Sequence, residues 1–284
     1  IDKVDRWEEA ILSYFGRLNY NYKSRYMVEV NARYDGSSKF LPKNRWNFFW
    51  GASAGWRITE EKFMENLRDY VNELKLRASY GEVGNQNGIG RYDGIQLYNY
   101  KSNSGALLGN SKGTYVESAG LVSTVRTWER IYNYNLGIDF GFFNNRLTGT
   151  IEYYDKRTKD LIFDYTVSTN RYPYGTMTAN VGEISNKGIE LTINATPVVT
   201  RNFTWSTTLN ISHNKNNVES LSNDTYSVNY KDYGNPDLGG YATTNVQRLM
   251  PGSPVGQFYL WEWAGYNEAG GSVFNDYDED GNLV

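Results

Sequence analysis

One short segment late in the chain has the residue types and spacing of a cation site. Residues 276–281 read DYDEDG, which places acids at positions one, three and five and a glycine at position six. Carboxylate oxygens at alternating positions can converge on Ca²⁺, and the glycine permits the sharp turn of an EF-hand loop. The acid of position twelve would fall beyond Val284. The sequence therefore favours an acidic surface turn, with a calcium loop built on Asp276, Asp278 and Asp280 as the alternative.

The chain has few residues that could act as the nucleophile and base of a hydrolase. There is one histidine, His213, and no cysteine. A serine or cysteine hydrolase needs a base held against its nucleophile by a third group. His213 falls in the polar row or at the end of a strand, and the local sequence offers no such set around it. We therefore expect no catalytic residue, no enzyme activity and no cofactor other than the calcium alternative.

Composition and charge exclude further classes of protein. A net charge of −3 gives no electrostatic case for binding nucleic acid. The absence of cysteine excludes a disulfide framework and thiolate-ligated zinc. No apolar run approaches the ~18 residues that a membrane helix requires. Aromatic residues make up 16% of the chain, including 25 tyrosines, which is typical of strands with a polar lumen on one side and membrane interfaces at both ends.

Four stretches of alternating residues carry an aromatic at each end of the apolar row, eight positions apart. The pairs are Tyr14/Tyr22, Tyr26/Tyr34, Phe48/Trp56 and Tyr132/Phe140. Period-two alternation puts each row on one face of a β-strand. Eight residues at about 3.3 Å each span roughly 26 Å, and a tilt of about 40° brings this near the ~25 Å apolar band of an outer-membrane barrel, which aromatic girdles flank. The spacing therefore predicts transmembrane strands.

Nine strands can be traced, and their connections alternate in length. The predicted strands are residues 14–22, 26–35, 47–57, 74–80, 132–140, 146–155, 188–196, 203–214 and about 258–263. The connections run short, long, helix-bearing, long, short, long, short, long. The helix-bearing one has Thr59 as N-cap, acids in its first turn and an apolar face, which predicts a short amphipathic helix. Barrels place short turns in the periplasm and long loops outside.

Tyrosines cluster in the long loops. They are Tyr98 and Tyr100, Tyr172 and Tyr174, and Tyr226, Tyr230 and Tyr233. Exposed aromatic rings can stack on sugars or grip peptides, but loop aromatics also pack loop against loop or against a partner. The sequence favours packing and leaves the residues that contact substrate unknown.

Several segments resemble the SusC/RagA family of TonB-dependent outer-membrane transporters, in the family's order and over most of the chain outside the long loops. They are FGRLNYNYKSRYMVEVNARYDGSSKF (15–40), FFWGASAGWRITEEKFM (48–64), LKLRASYGEVGNQ (74–86), NLGIDFGFFNNRLTGTIEYYDKRTKDLI (135–162), ANVGEISNKGIEL (179–191) and GSPVGQFY (252–259). Any one of them is a weak signal, whereas together they are specific.

The resemblance implies a fold and a domain organisation. Members of this family have a carboxypeptidase-like domain, a TonB box and a plug before a 22-stranded barrel. We therefore expect an all-β fold, an antiparallel transmembrane β-barrel segment of about nine strands of that larger barrel. Residues 1–284 would be part of one barrel domain, with long extracellular loops and one short periplasmic helix. The plug, the TonB box and the final strands would not be present in this chain.

The resemblance also implies a function. The whole protein would be a TonB-energised importer of glycans or peptides in the outer membrane of a Gram-negative bacterium. A SusD-like surface lipoprotein would cover its extracellular loops, and TonB would act through a segment outside this chain. Outer-membrane lipid would surround the wall, and transporter–lid pairs would form dimers. Two alternatives stay open: an outer-membrane adhesin or enzyme built on a barrel, and a soluble carbohydrate-binding β protein.

Overall fold

Eight long strands form one antiparallel sheet in which each strand pairs with the next in the chain. The computed structural model describes residues 7–172, 174–224, 226–234 and 245–277. The strands are β1 (Ile11–Tyr22), β2 (Tyr26–Ser37), β3 (Trp46–Arg57), β4 (Val71–Asn85), β5 (Glu129–Phe142), β6 (Leu147–Thr166), β7 (Thr176–Val199) and β8 (Thr204–Ser220). Among the described residues, no helix is long and apolar enough to cross a membrane.

The outward row of the sheet is apolar and stays exposed in this chain. Leu18, Val30 and Leu136 are 70%, 41% and 57% exposed. A soluble sheet would cover such a row with a second layer, because an apolar patch of this extent is costly in water. The row therefore faces lipid, as the alternation predicts, and the fold is the expected segment of a transmembrane β-barrel.

The aromatic residues at the lower end of the row report the tilt of the strands. Trp56 on β3 lies in the same register row as Ile211 on β8, whereas the lower aromatic of β8 is Trp205, six positions further down. The offset along β8 is six residues, or about 20 Å, and the distance across the sheet from β3 to β8 is five strand spacings, or about 24 Å. The ratio of these two distances gives the tilt. If both tryptophans lie at one membrane interface, the strands tilt by about 40°, the value of an outer-membrane barrel.

The upper end of the row carries stacked rings. Trp46 stacks on Tyr14 and Tyr34, with ring centroids 6.0 and 5.0 Å apart. Gly36 makes room for that indole, because a Cβ there would lie 2.6 Å from the ring. The three rings join β1, β2 and β3 at the extracellular interface, as expected for an aromatic girdle.

Eight of the nine predicted strands are confirmed, and β4, β6 and β7 exceed their predicted lengths by at least eight residues. β4 runs on to Asn85. The segment expected to be a long excursion, residues 156–187, is mostly a continuation of β6 and β7, which pair up to Thr166 and Thr176. Beyond the membrane neither face meets lipid, so the period-two pattern disappears while the backbone pairing continues.

The ninth predicted strand is wrong. Residues 258–262 lie outside any strand, and Trp263–Tyr266 pairs with Ser272–Phe274 in a separate two-stranded sheet. The chain before this segment is held at the extracellular end of β8, where the Val218 N–H donates to the Ser253 carbonyl at 2.9 Å. The segment starts too high to be a wall strand, and its alternation belongs to an exposed loop.

The short periplasmic helix is also wrong in its detail. The connection between β3 and β4 forms two 3₁₀ turns, Ile58–Glu60 and Lys62–Leu67, and Thr59 makes no capping hydrogen bond. Glu61 separates the turns in an extended conformation. Its carboxylate accepts hydrogen bonds from the Tyr26 hydroxyl at 2.6 Å and from Trp56 Nε1 at 3.0 Å. The strand ends thus hold this carboxylate at the point where the extended backbone of Glu61 interrupts the helical turns.

Candidate functional site

The face of the sheet opposite the apolar row is polar from β1 to β8. It carries Arg17, Asn19 and Asn21 on the first strand and Ser206, Thr208 and Asn210 on the last. In a transmembrane barrel this face lines the aqueous interior. The candidate functional site is therefore an extended wall rather than a cleft.

An arginine-centred network joins three neighbouring strands of this lumenal wall. Arg77 on β4 donates from Nε and Nη2 to Asp139 on β5, at 2.8 and 2.9 Å, and from Nη2 to Glu152 on β6 at 2.6 Å. The side chain has to pass over β5 at Gly137, where a Cβ would lie 2.9 Å from Nη2. One guanidinium thus joins carboxylates on two neighbouring strands to its own.

Other lumenal charges are also paired across neighbouring strands. Arg17 on β1 donates to both oxygens of Glu29 on β2, at 2.7 and 2.8 Å. Arg57 at the lower end of β3 donates to Glu73 on β4 at 3.1 Å. These contacts fix the charged groups against the wall, so the arrangement can offer fixed charges and hydrogen-bond partners to whatever fills the lumen.

The extracellular end holds a small apolar core that fixes the connections. Phe40, Phe49, Ile89 and Trp128 are all buried and form one cluster. They come from the β2–β3 connection, the upper part of β3 and the β4–β5 connection. The pairing of β3 with β4 stops at Gly51 and Gly81, and above that point the Phe49 ring covers β4. The cluster attaches two long connections to the top of the wall.

The β4–β5 connection is also hydrogen-bonded to the parts of β6 and β7 that extend beyond the membrane as a projecting hairpin. The Asn180 side chain exchanges two hydrogen bonds with the backbone of Thr127, both at 2.9 Å. Glu129 is buried and accepts the Ile162 N–H at 2.8 Å. The rim of the wall is therefore a set of mutually braced loops.

The loop tyrosines divide into packed and exposed groups. The Tyr226 ring packs against the Tyr165 ring at a tilt of 47°, with the centroids 4.6 Å apart, and the Tyr233 hydroxyl accepts the Gly256 N–H at 2.8 Å. Tyr98 and Tyr100 are instead 67% and 71% exposed. Packing of one loop against another is therefore seen for Tyr226 and Tyr233, and packing of Tyr98 and Tyr100 against a partner stays a prediction.

An arginine organises the loop that follows β8. The Arg248 guanidinium lies between the rings of Tyr230 and Tyr259, 3.9 and 3.6 Å from their centroids. It also donates to both oxygens of Asp232, at 2.6 and 3.0 Å. These hydrogen bonds hold the pKa of Asp232 below its usual value. The loop is ordered by this contact.

The same loop presents exposed aromatics, and all of them except Tyr266 fall in the predicted ninth strand over residues 258–263. They are Phe258, Tyr259, Trp261, Trp263 and Tyr266, which are between 54% and 78% exposed. Their spacing in the sequence could have been noticed, but the alternation of residues 258–263 imitates a strand. They form a group of exposed rings at the extracellular end that the sequence analysis did not recognise as a loop surface.

The calcium loop is only partly within the described residues. Asp276 is described, and its Oδ1 accepts the Tyr277 N–H at 3.0 Å. Asp278 and Asp280 lie outside the described residues, so the calcium loop stays a prediction. In the part of the chain that the structure describes, no group of three or more acidic or histidine side chains could hold a metal ion.

His213 lies opposite Ile189 in the register of β8 and β7. It therefore lies in the outward row of β8, between Ile211 and Lys215, and does not belong to the polar row. Its neighbours across the strands are aliphatic, and the register brings no nucleophile beside it.

Comparison with known proteins agrees with this geometry. The family model described as "TonB dependent receptor-like, beta-barrel" matches residues 2–283. The chain belongs to this family. TonB-dependent receptor β-barrels are outer-membrane proteins of Gram-negative bacteria, and they are transporters, not enzymes.

Two curated relatives illustrate the similarity. TonB-dependent receptor SusC of Bacteroides thetaiotaomicron is 34% identical over an alignment of 282 residues that covers 96% of this chain and 27% of that protein. TonB-dependent receptor P26 of Formosa agariphila is 33% identical over 291 residues, covering 95% of this chain and 28% of that protein. The chain thus spans about a quarter of the length of these relatives.

Solved structures show the same fold. The RagAB peptide importer in its closed-closed state matches with a TM-score of 0.76 and 25% identity, over 97% of this chain and 28% of that chain. The open-open state of the same importer matches with a TM-score of 0.79 at 23% identity, with the same coverage. The resemblance to the SusC/RagA type is therefore confirmed.

Proposed function

We propose that this chain forms part of the wall and the extracellular rim of a TonB-energised importer of glycans or peptides. The observation that carries the proposal is the lumenal wall itself, polar from β1 to β8 and braced by the network around Arg77. A fixed polar wall suits a barrel whose interior opens and closes by movement of other parts. Similarity to SusC and to the RagAB peptide importer supports the choice of cargo.

The whole protein would work with two partners. A SusD-like surface lipoprotein would sit over the extracellular loops and enclose the cargo, and TonB would supply energy through a segment outside this chain. Residues 1–284 would be part of a single barrel domain. The exposed rings between Phe258 and Tyr266 and the pair Tyr98 and Tyr100 lie at the end where such a lid would rest. Transporter–lid pairs would associate as dimers.

The mechanism needs no bond chemistry. Opening would be a conformational change driven from the inner membrane, so the wall has to stay rigid while the barrel's contents move. The paired lumenal charges and the clipped loops are suited to that task. They hold polar side chains in fixed positions without a nucleophile or a positioned base.

Purification and uptake together test the proposal. The complete protein, tagged and extracted from outer membranes in detergent, should co-purify with a surface lipoprotein. Cells should take up labelled oligosaccharides or peptides only when both the protein and the proton-motive force are present. A protein that purifies without a lipoprotein, from cells whose uptake of both cargo classes is unchanged by its deletion, would contradict the proposal.

A further inference from the structure

The outward row changes from apolar to charged at one register row on three neighbouring strands. On β6 it passes from Ile151 and Tyr153 to Asp155, Arg157 and Lys159. On β7 it passes from Ile189 to Lys187, and on β8 from Ile211 to Lys215. Arg157, Lys159, Lys187 and Lys215 are here called the basic patch. A charge on the lipid side is tolerated only near an interface, so the patch marks the outer edge of the apolar band.

The tilt of the strands places the basic patch at the depth of lipid head groups. Tyr134, Asp155, Lys187 and Lys215 share one register row. With a tilt of about 40° and a spacing of about 4.8 Å, each step along that row rises by about 3 Å. Lys187 therefore lies about 6 Å above Tyr134 and close to the level of Tyr132 of the aromatic girdle, where the polar layer of about 5–7 Å on each side of a bilayer begins.

The charges are arranged with the cations outermost. Asp155 contacts Arg157 at 3.2 Å and Lys187 at 3.4 Å, and Glu183 contacts Lys159 at 3.5 Å. The side chains of the two carboxylates are 15% and 25% exposed, whereas those of the three cations are 37%, 42% and 46% exposed. The carboxylates thus hold the basic groups in place while the cations face outward.

Net charge on this surface stays positive. The upper outward face of β6 to β8 carries the four cations of the basic patch and the carboxylates of Asp155, Glu183 and Glu219. A depression of about 550 Å³ lies beside them, lined by Tyr132, Tyr134, Tyr153, Asp155, Arg157 and Lys159. Tyr134 and Tyr153 lie at its lower side, and Tyr132 lies opposite Arg157 at its upper side.

We propose that the basic patch binds the phosphate groups of a phosphorylated lipid in the outer leaflet. Charge complementarity favours this occupant, since N⁺–H donors make short, strong hydrogen bonds to phosphate oxygens. Continuity with the lipid-facing row favours a lipid over a protein partner, because the tyrosine-lined side of the depression opens onto the acyl layer. The inference rests on the outer-membrane placement and is independent of which cargo is imported.

Lipid binding by the complete protein in detergent tests the inference. The probes are a phosphorylated lipid A, the same lipid after removal of its phosphates, and inorganic phosphate, with bound lipid counted by native mass spectrometry. The test variants are Arg157→Gln with Lys187→Gln, and separately Lys159→Gln, which leaves both ion pairs of Asp155 intact. Lys156→Gln is the matched control, because Lys156 is the next residue of β6 and faces the lumen.

We expect that only substitutions on the outward face reduce the preference for the phosphorylated lipid. Wild-type protein should bind the phosphorylated lipid at least tenfold more tightly than the dephosphorylated form. The double variant should lose most of that difference, Lys159→Gln a part of it, and Lys156→Gln none. Equal binding of the two lipid forms, equal loss in Lys156→Gln, or full competition by millimolar inorganic phosphate would overturn the proposal. Cargo uptake, measured on the same variants, separates this outcome from failure of the proposed function.

Discussion

At the scale of single residues, the lumenal wall depends on a few side chains that act across several strands. Arg77 is the clearest case, since its guanidinium ties β4, β5 and β6 together. Gly137 is part of the same feature because it leaves the space that the guanidinium crosses. Alternation in the sequence predicts that these residues face the lumen, but it cannot predict which charges meet, because that depends on register.

Replacing Arg77 by methionine should destabilise the barrel more than the same change at Arg17. Without the guanidinium, Asp139 and Glu152 face each other half-buried, which should lower the free energy of unfolding by about 1–3 kcal/mol. The side chain of Arg17 is 63% exposed, and loss of such a surface pair should cost less than about 1 kcal/mol. Urea unfolding of the complete barrel measures both free-energy changes. Equal losses for the two substitutions would show that the Arg77 network does not stabilise the barrel more than a surface ion pair does.

Replacing Gly84 by alanine should loosen the apolar core at the extracellular end. A Cβ at Gly84 would overlap the buried Phe49 ring, so the ring must move away from Trp128 at a cost of about 1–3 kcal/mol. Gly81, on the same strand, has nothing within 4 Å of a Cβ position. Gly81→Ala should therefore be nearly neutral. Thermal unfolding followed by tryptophan fluorescence distinguishes the two, and an unchanged Gly84→Ala would argue against the cluster.

At the scale of elements, the connection between β3 and β4 is held in place by side-chain contacts with the ends of the strands. The two 3₁₀ turns between β3 and β4 are held to the strand ends by Glu61. The contact has an electrostatic side, because Arg25 lies 3.1 Å from the same carboxylate. Hydrogen bonds from Tyr26 and Trp56, together with the charge of Arg25, hold the pKa of Glu61 below its usual value of 4.5.

Acidification should release these turns. A carboxylate whose pKa is lowered in the folded state stabilises it above the unfolded pKa, near 4.5, and this contribution disappears as the pH falls through the lower folded value. Hydrogen-exchange protection of residues 58–67, corrected for intrinsic rates, should therefore drop between pH 6.5 and pH 3. Glu61→Gln removes the charge, so its protection should depend little on pH. The same drop in wild type and variant would contradict this account.

The elements also show how far sequence reasoning reaches. The predictions of strands β1, β2, β3 and β5 are accurate, because a strand with lipid on one face and water on the other needs alternating apolar and polar residues. The projecting hairpin of β6 and β7 was missed because water lies on both of its faces. Residues 258–263 imitate a strand, and only the backbone contact between Val218 and Ser253 reveals that they start above the membrane. For the candidate site, the sequence predicts which face of the sheet is polar, but it does not predict which charged side chains of that face form ion pairs.

At the scale of the whole molecule, the two faces of one sheet meet two different solvents. The outward face is apolar between two aromatic girdles, and the inward face is polar and internally paired. The register and the girdle positions together give a strand tilt of about 40°. This agreement between a sequence pattern and a pairing pattern supports the barrel more strongly than either does alone.

A charge placed on the outward face should be far more costly than one placed on the inward face. Val30 lies midway between Tyr26 and Tyr34, so Val30→Arg puts a guanidinium near the centre of the bilayer at a cost of about 2–4 kcal/mol. Asn31→Arg, one residue further on, faces the lumen and should cost much less. Folding of the complete barrel into lipid vesicles, measured against urea, gives both values. Equal tolerance would mean that the faces are wrongly assigned.

The measurement that tests the central claim most directly is a scan of residues 26–34 with single nitroxide labels in lipid vesicles. Each label is attached through an introduced cysteine, since the chain has none of its own. Oxygen concentrates in the acyl layer, whereas a nickel chelate stays in water. We predict that oxygen access peaks at Val28, Val30 and Ala32 and that nickel access peaks at Glu29, Asn31 and Arg33. Nickel access at every position, without alternation, would contradict the claim that this sheet is the wall of a transmembrane barrel.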